Sequence, residues 1–280
     1  MPNLPTPPVE VPVSSAGQAV MSIGVVVALV LMVVAAVRLG RRWSTWAPAI
    51  IAFTTLWAAF IEPIQNLVSH MWYYRPGQVT IFSSFGGSLP AWVFFSYCAF
   101  YGGFGMIAWW MVERGAPRSR MAKFVLGVWA FAVVTEIVGT QFDTYEYYGP
   151  HPFRVAGFPI WLSLGNAAIC TTVGVAAARL RRVLVGRQIL SMMLLGPAAV
   201  ATGLIGTGAP TLGVINTVDP DTWLQYLAAT ISMVMAGTMA WGALRLVPAD
   251  GLPSADDLAG TRSDTDTAAG AASRSVKAGV

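Results

Sequence analysis

The sequence predicts an all-α fold, a polytopic membrane bundle of about seven transmembrane helices. Three observations carry this. The 280 residues are 55% hydrophobic and only 11% charged, a composition far from that of soluble domains. Seven stretches are apolar over the roughly 20 residues that a membrane crossing needs. Basic residues gather in short clusters between alternate stretches, the pattern that sets orientation in a bilayer.

Taken in order, residues 1–17 are Pro-rich and polar and are expected to form a disordered N-terminal tail. They hold no Lys or Arg, so no cleavable signal peptide is expected there. The membrane domain covers residues 18–247. Its apolar stretches lie near 18–38, 47–69, 90–112, 121–142, 158–178, 188–209 and 223–245. Residues 248–280 are polar and without apolar periodicity, and are expected as a disordered cytoplasmic tail.

Arg38, Arg41 and Arg42 follow the first stretch, and Arg114, Arg118, Arg120 and Lys123 the third. Arg179, Arg181, Arg182 and Arg187 follow the fifth, and Arg245 ends the seventh. The opposite loops carry Arg75 and Arg154 alone. This places the N-terminus outside and the C-terminus in the cytoplasm, for a multi-pass protein of the cell (plasma) membrane. The net charge of +4 therefore belongs to orientation and not to nucleic-acid binding. Cys98 and Cys170 lie inside apolar runs and read as small core residues.

The acids sort the other way. Glu62, Glu136, Asp143, Glu146, Asp219 and Asp221 lie in the outer half, with His70 and His151. Positive-inside orientation says little about acids, so a polar site near the outer face is expected. Asp221 reads as the N-cap of the seventh helix.

Two units repeat. Glu62 is followed by Tyr73 and Tyr74, and Glu136 by Tyr147 and Tyr148, so both read E-x10-Y-Y. Each unit then reaches a Gly, a Pro and a Trp at the mouth of a helix: Gly87, Pro90 and Trp92, then Gly157, Pro159 and Trp161. The tandem repeat covers about 47–112 and 121–178. Counting along each helix puts both glutamates roughly 9–10 Å below the outer interface. An ionised carboxylate there costs several kcal/mol, so both are expected to face the bundle interior. One such Glu serves as readily as a structural hydrogen-bond partner, with Pro63 freeing a carbonyl beside Glu62. Two at matched depth in matched motifs favour proton donation to a substrate.

Glu136 and Glu62 are thus the candidate catalytic residues. The candidate substrate-binding residues are Asn66, His70, Trp72, Tyr73, Tyr74, Asp143, Tyr145, Tyr147, Tyr148, Trp161 and Asn166. An aromatic belt at the interface accounts for part of this set. The remaining rings suit a cavity in which a cation develops, worth up to about 2 kcal/mol when desolvated. Glu62, Asn66 and His70 recur at i, i+4 and i+8, on one helix face. Phe82, Phe85 and the glycines of SSFGG are read as an interfacial lid.

No cofactor and no metal are expected. The lysines are Lys123 and Lys277, which excludes a Schiff base in the seventh helix. The histidines have no Cys or His at ligand spacing, and no nucleotide fingerprint stands in context. Pairs such as Gly102–Gly105 and Gly203–Gly208 are read as close helix packing.

The run EPIQNLVSHMWYYRPGQVTIFSSFGGSLPAWVFFSYCAFYGG, together with EIVGTQFDTYEYYGPHPFRVAGFPIWLSLGNA, resembles the AveC-like spirocyclase family of actinobacterial membrane proteins. The likeness covers most of residues 50–245. It implies acid-catalysed spiroketal closure or dehydration of a lipophilic polyketide-type substrate. The position of Asn66 is often an acid in that family, so a mechanism needing a second carboxylate there is not expected here. A membrane terpenoid cyclase fits the same residues. The alternative is a proton-coupled transporter or binding protein for a lipophilic small molecule. Against it, Pro63 and Pro197 are the only mid-span residues expected to break a helix. The partners expected are a lipophilic small molecule and the lipid bilayer, with no nucleic acid.

Overall fold

The structure, a computed structural model, describes residues 5–251. Residues 1–4 and 252–280 of the expected tails lie outside the described residues. Among the described residues, seven helices are long and apolar enough to cross a membrane. They are α1 Ser15–Arg42, α2 Ala47–Val68, α3 Ala91–Glu113, α4 Arg118–Gln141, α5 Trp161–Leu180, α6 Gly186–Ile215 and α7 Thr222–Arg245. The all-α membrane bundle expected from hydropathy is the observed fold.

Local chemistry sets several helix ends. The first helix starts at Ser15 because the Ser14 hydroxyl accepts from Gly17 N at 3.1 Å, a serine N-cap. The chain before it is docked: Val13 is buried with Trp72 and Tyr74, and Ser14 N donates to Asp143 O at 3.1 Å. Asp221 does occupy the N-cap of α7, but its carboxylate makes no capping bond. The main-chain oxygen of Asp221 accepts from Gln225 N at 3.1 Å instead.

Helix α5 is the centre of the bundle. Ala167, Ala168, Ile169, Cys170 and Val173 are fully buried, as expected of a helix apolar on all sides. Small residues let its neighbours approach. A Cβ on Gly174 would lie 2.3 Å from Gly105 O in α3, and one on Gly165 2.4 Å from Gly203 O in α6. Gly102, Gly105 and Gly203 lie against neighbouring helices in the same way. Helix α1 is the opposite case, with Ile23, Val30 and Leu31 exposed on its outer face.

The spans are more interrupted than the prolines predict. Helix α2 tightens into a 3₁₀ turn at Ala59–Ile61, just before Glu62 and Pro63. Helix α3 widens into a π-helical segment at Tyr97–Gly102, and α6 does so at Ala201–Gly206. Neither π segment contains a proline, so sequence punctuation could not reveal it. Such segments are frequent at functional sites.

The two ends of the bundle differ. At one end Glu113, 2% exposed, pairs with Arg181 at 3.2 Å and Arg182 at 3.5 Å. Arg118 donates there to Val247 O at 2.8 Å, locking α4 to the end of α7. At the other end three short antiparallel ribbons form. Strand β1 (Met71–Tyr73) pairs with β4 (Tyr145–Tyr147), β2 (Thr80–Ser84) with β3 (Gly87–Pro90), and β5 (Arg154–Val155) with β6 (Phe158–Pro159). The stretch expected as a lid is the β2–β3 hairpin, with Phe85 exposed at its turn.

The β1–β4 ribbon joins the two sequence repeats. Its register is Met71 to Tyr147, Trp72 to Glu146 and Tyr73 to Tyr145. Superposing Glu62 on Glu136 superposes Met71 on Tyr145, Trp72 on Glu146 and Tyr73 on Tyr147. Met71 therefore pairs with the counterpart of Tyr73, Tyr73 with the counterpart of Met71, and Trp72 with its own counterpart. This is the isologous pattern of a two-fold axis.

Candidate functional site

The repeat brings both glutamates to one cavity of about 710 Å³ between α1, α3 and α4. Glu62 lies where α2 resumes after its 3₁₀ turn, and Glu136 near the end of α4. Glu62 is 6% exposed and Glu136 is half-buried, its exposure being to the cavity. The rest of the lining is mainly apolar, with Met21, Ala28, Phe100 and Phe131 among it.

The two carboxyls are held differently. Tyr73 donates to Oε1 of Glu62 at 2.5 Å, and Tyr97 donates to its Oε2. Both oxygens of Glu62 are engaged. Glu136 receives both of its tyrosines on one oxygen: Tyr145 at 2.7 Å and Tyr147 at 3.3 Å, each on Oε2. Among the described residues, none donates a hydrogen bond to Oε1 of Glu136. Two acceptor oxygens fit a carboxylate at Glu62. At Glu136 one oxygen accepts twice, which leaves Oε1 as the position where a carboxylic acid would carry its proton.

An aromatic wall closes the end of the cavity next to the ribbon. Tyr73 and Tyr145 meet edge to face at 5.4 Å, Tyr73 and Trp92 at 5.7 Å, and Trp92 stacks on Tyr145 at 6.1 Å. Tyr101 donates to Asn166 Oδ1 at 2.7 Å across the cavity floor. Gln65 also lines the cavity, and its buried Oε1 has no hydrogen-bond partner.

Of the candidate catalytic and substrate-binding residues read from sequence, Glu62, Glu136, Tyr73, Tyr145, Tyr147 and Asn166 share this cavity. The others do not line it. The helical face shared by Glu62, Asn66 and His70 is broken, because α2 ends at Val68 and His70 turns into the left-handed region at φ 48°. His70 instead faces Asn216 Oδ1 at 3.1 Å and stacks on Tyr148 at 5.2 Å. Asn66 is buried outside the cavity, and Tyr74 donates to Glu146 at 2.9 Å. Trp72 packs under Arg75 at 4.5 Å. Asp143 turns the chain at φ 51°, and Trp161 is buried behind the cavity near Gly208. The second tyrosine of each pair thus points away from the acids. Sequence reading missed Tyr97 and Tyr101. Their signal was two tyrosines four apart in an apolar span, starting five residues after Trp92. Among the described residues, no group of three or more His, Cys, Asp or Glu is placed to hold a metal.

Gly139 sets the position of Tyr145. A Cβ there would lie 2.5 Å from the tyrosine hydroxyl. Gly139→Ala is expected to displace Tyr145 from Glu136 and to lower stability by about 1–3 kcal/mol. In a thermal-unfolding cycle with Tyr145→Phe the two changes should be less than additive.

The loop over the ribbon carries a pH dependence. Burial, then the positive charge of Arg154, pushes the His151 imidazole down to about 3. It is neutral in the fold, whereas the unfolded chain takes up a proton below about 6.5. Stability from this group is therefore complete above pH 6.5 and is lost as pH falls toward 3. Thermal unfolding at pH 7.5 and pH 4.5 should show acid destabilisation that shrinks in His151→Gln.

Comparison with known proteins finds no match, whether to a family model, a curated protein or a solved structure.

Proposed function

We propose that this protein is a membrane-embedded, cofactor-independent acid–base catalyst that cyclises or dehydrates a lipophilic polyketide- or terpenoid-type molecule in the plasma membrane. The reading agrees with the AveC-like resemblance. The observation that carries it is the unequal pair of carboxyls on one apolar cavity, Glu62 bonded on both oxygens and Glu136 on one.

For a dihydroxy ketone the steps balance without a co-reactant. Glu136 protonates the carbonyl oxygen through Oε1. A substrate hydroxyl closes on the carbonyl carbon and its proton passes to Glu62. The hemiketal hydroxyl leaves as water, taking a proton from the pair, and the second hydroxyl traps the oxocarbenium ion and returns one. Net, the ketone diol becomes a spiroketal and water. Tyr73, Trp92 and Tyr145 face the developing cation, and the side-chain amide of Gln65, which lines the cavity, is the neutral polar group that turns toward a substrate hydroxyl.

The test compares lipophilic extracts of the native host by mass spectrometry. A deletion strain is complemented with wild type or with Glu136→Gln at equal expression. A metabolite that accumulates in the deletion and Glu136→Gln strains, and is an isomer of the lost product or differs from it by water, supports the reading. Identical molecules in every strain, differing only in their distribution across the membrane, would establish transport instead.

A further inference from the structure

The cavity has an opening, and its position bears on where a substrate comes from. At the ribbon end α1 and α4 are drawn together. A Cβ on Gly17 would lie 2.1 Å from Phe142 O and 2.8 Å from the Thr144 methyl. Ser14 N bonds Asp143 O at this junction, and Val13 seals against Trp72 and Tyr74. The β1–β4 ribbon and its tyrosines complete the closure toward the loops.

Further along the helices the picture reverses. Helix α1 packs on α2 and α3, whereas α4 packs mainly on α5. The floor of the gap between α1 and α4 is α3. Nothing lies within 4 Å of where a Cβ on Gly24 of α1 or Gly103 of α3 would stand. Both glycines line the cavity, as do Val20, Leu31, Ile107 and Phe131, which are also exposed on the outside of the bundle. These residues belong to spans whose outer faces are apolar, so the rim meets lipid and not water.

We infer that the substrate enters sideways from the bilayer, through the cleft between α1 and α4, as an amphiphile with an extended apolar chain and a hydroxyl or carbonyl end that reaches the two acids. This deepens the catalytic reading and rests on it for the role of the acids. The chemistry of the occupant follows from the lining. An apolar chain matches the rim and the α3 floor, and one oxygen-bearing end matches Glu62, Glu136 and Gln65, the polar groups at the closed end. A water-soluble substrate would have to pass the Gly17–Phe142 junction, where there is no room.

The test measures entry and not turnover. Full-length protein in lipid nanodiscs is photolabelled with hexadecanol carrying a mid-chain diazirine, and labelled peptides are mapped by mass spectrometry. Peptides bearing Tyr97–Phe104 and Phe131–Glu136 should be labelled. Gly24→Trp with Gly103→Trp should abolish labelling at Tyr97 and Glu136, because both positions line the cavity and a Cβ at either meets nothing within 4 Å. Gly127→Trp is the matched control: its glycine also has open space around it, on α4 but away from the cavity. It should leave labelling unchanged. Cavity labelling that survives the double plug, or labelling confined to the outer apolar belt, would overturn the lateral route. Plug-sensitive labelling together with metabolites indifferent to Glu136→Gln would keep the route and remove the catalytic reading.

Discussion

Replacing Glu136 by glutamine is expected to cut turnover by about 10²–10⁴-fold, the usual contribution of a positioned general acid, with the fold intact. The amide oxygen can still accept from Tyr145, which lies 2.7 Å from the carboxyl. The NH₂ at the free position can donate a hydrogen bond but has no proton acidic enough to transfer. Glu136→Leu is the contrasting change. It strands the Tyr147 hydroxyl, at about 1–3 kcal/mol for a buried donor without an acceptor, and leaves the Tyr145 hydroxyl only the main-chain oxygen of residue 136 at 3.2 Å. Loss of turnover in the glutamine variant with unchanged thermal stability separates chemistry from architecture. Glu62→Gln should behave differently. Its two tyrosines bond opposite oxygens, so an amide presents an NH₂ to one of them. It should lose stability as well as rate, and Tyr97→Phe should recover part of that stability by removing the stranded hydroxyl.

The largest effect on folding is expected at Gly174. A Cβ there would stand 2.3 Å from Gly105 O, 2.5 Å from the Ala108 methyl and 2.7 Å from Trp109 N. All three belong to α3, and two are backbone atoms that cannot rotate aside. Even alanine forces α3 and α5 apart, at a cost of about 3 kcal/mol or more, at the upper end of ordinary overpacking. Gly174→Leu should leave no monodisperse protein in detergent. Gly213→Leu, with nothing within 4 Å of its Cβ position, should be neutral within about 0.5 kcal/mol. Size-exclusion profiles of the two variants at equal expression decide it.

What could be read from the chain follows from which interactions are local. A membrane span needs only a run of apolar residues, so all seven were visible, with ends displaced where a cap such as Ser14 intervened. Glu62 and Glu136 were visible because a charge stands out against lipid-soluble neighbours. Tyr97 and Tyr101 were not, because a tyrosine in a span counts as an apolar residue until its hydroxyl finds a partner, and those partners come from α2 and α5. The π segment that carries them depends on Gly102 seating against Thr55 and Ala52 of α2, a contact distant in sequence. His70 was misplaced for the opposite reason: helical periodicity was extended past Val68, where the helix stops, whereas Asn66 is within the helix and is buried away from the cavity.

The symmetry of the β1–β4 ribbon carries a consequence about ancestry. Two copies of one helix–loop–helix unit meeting across a dyad would make this same contact, with two identical glutamates facing one shared hollow. Joining two such units by duplication and fusion would give the present layout. Fusion released the copies from having to be alike. One copy keeps Met71 where the other has Tyr145, and Tyr97 stands where the other has Asn166. Those two differences are what leave one acid clasped on both oxygens and the other open on one. An ancestral homodimer could not have told its two carboxylates apart; the fused descendant can assign them opposite tasks.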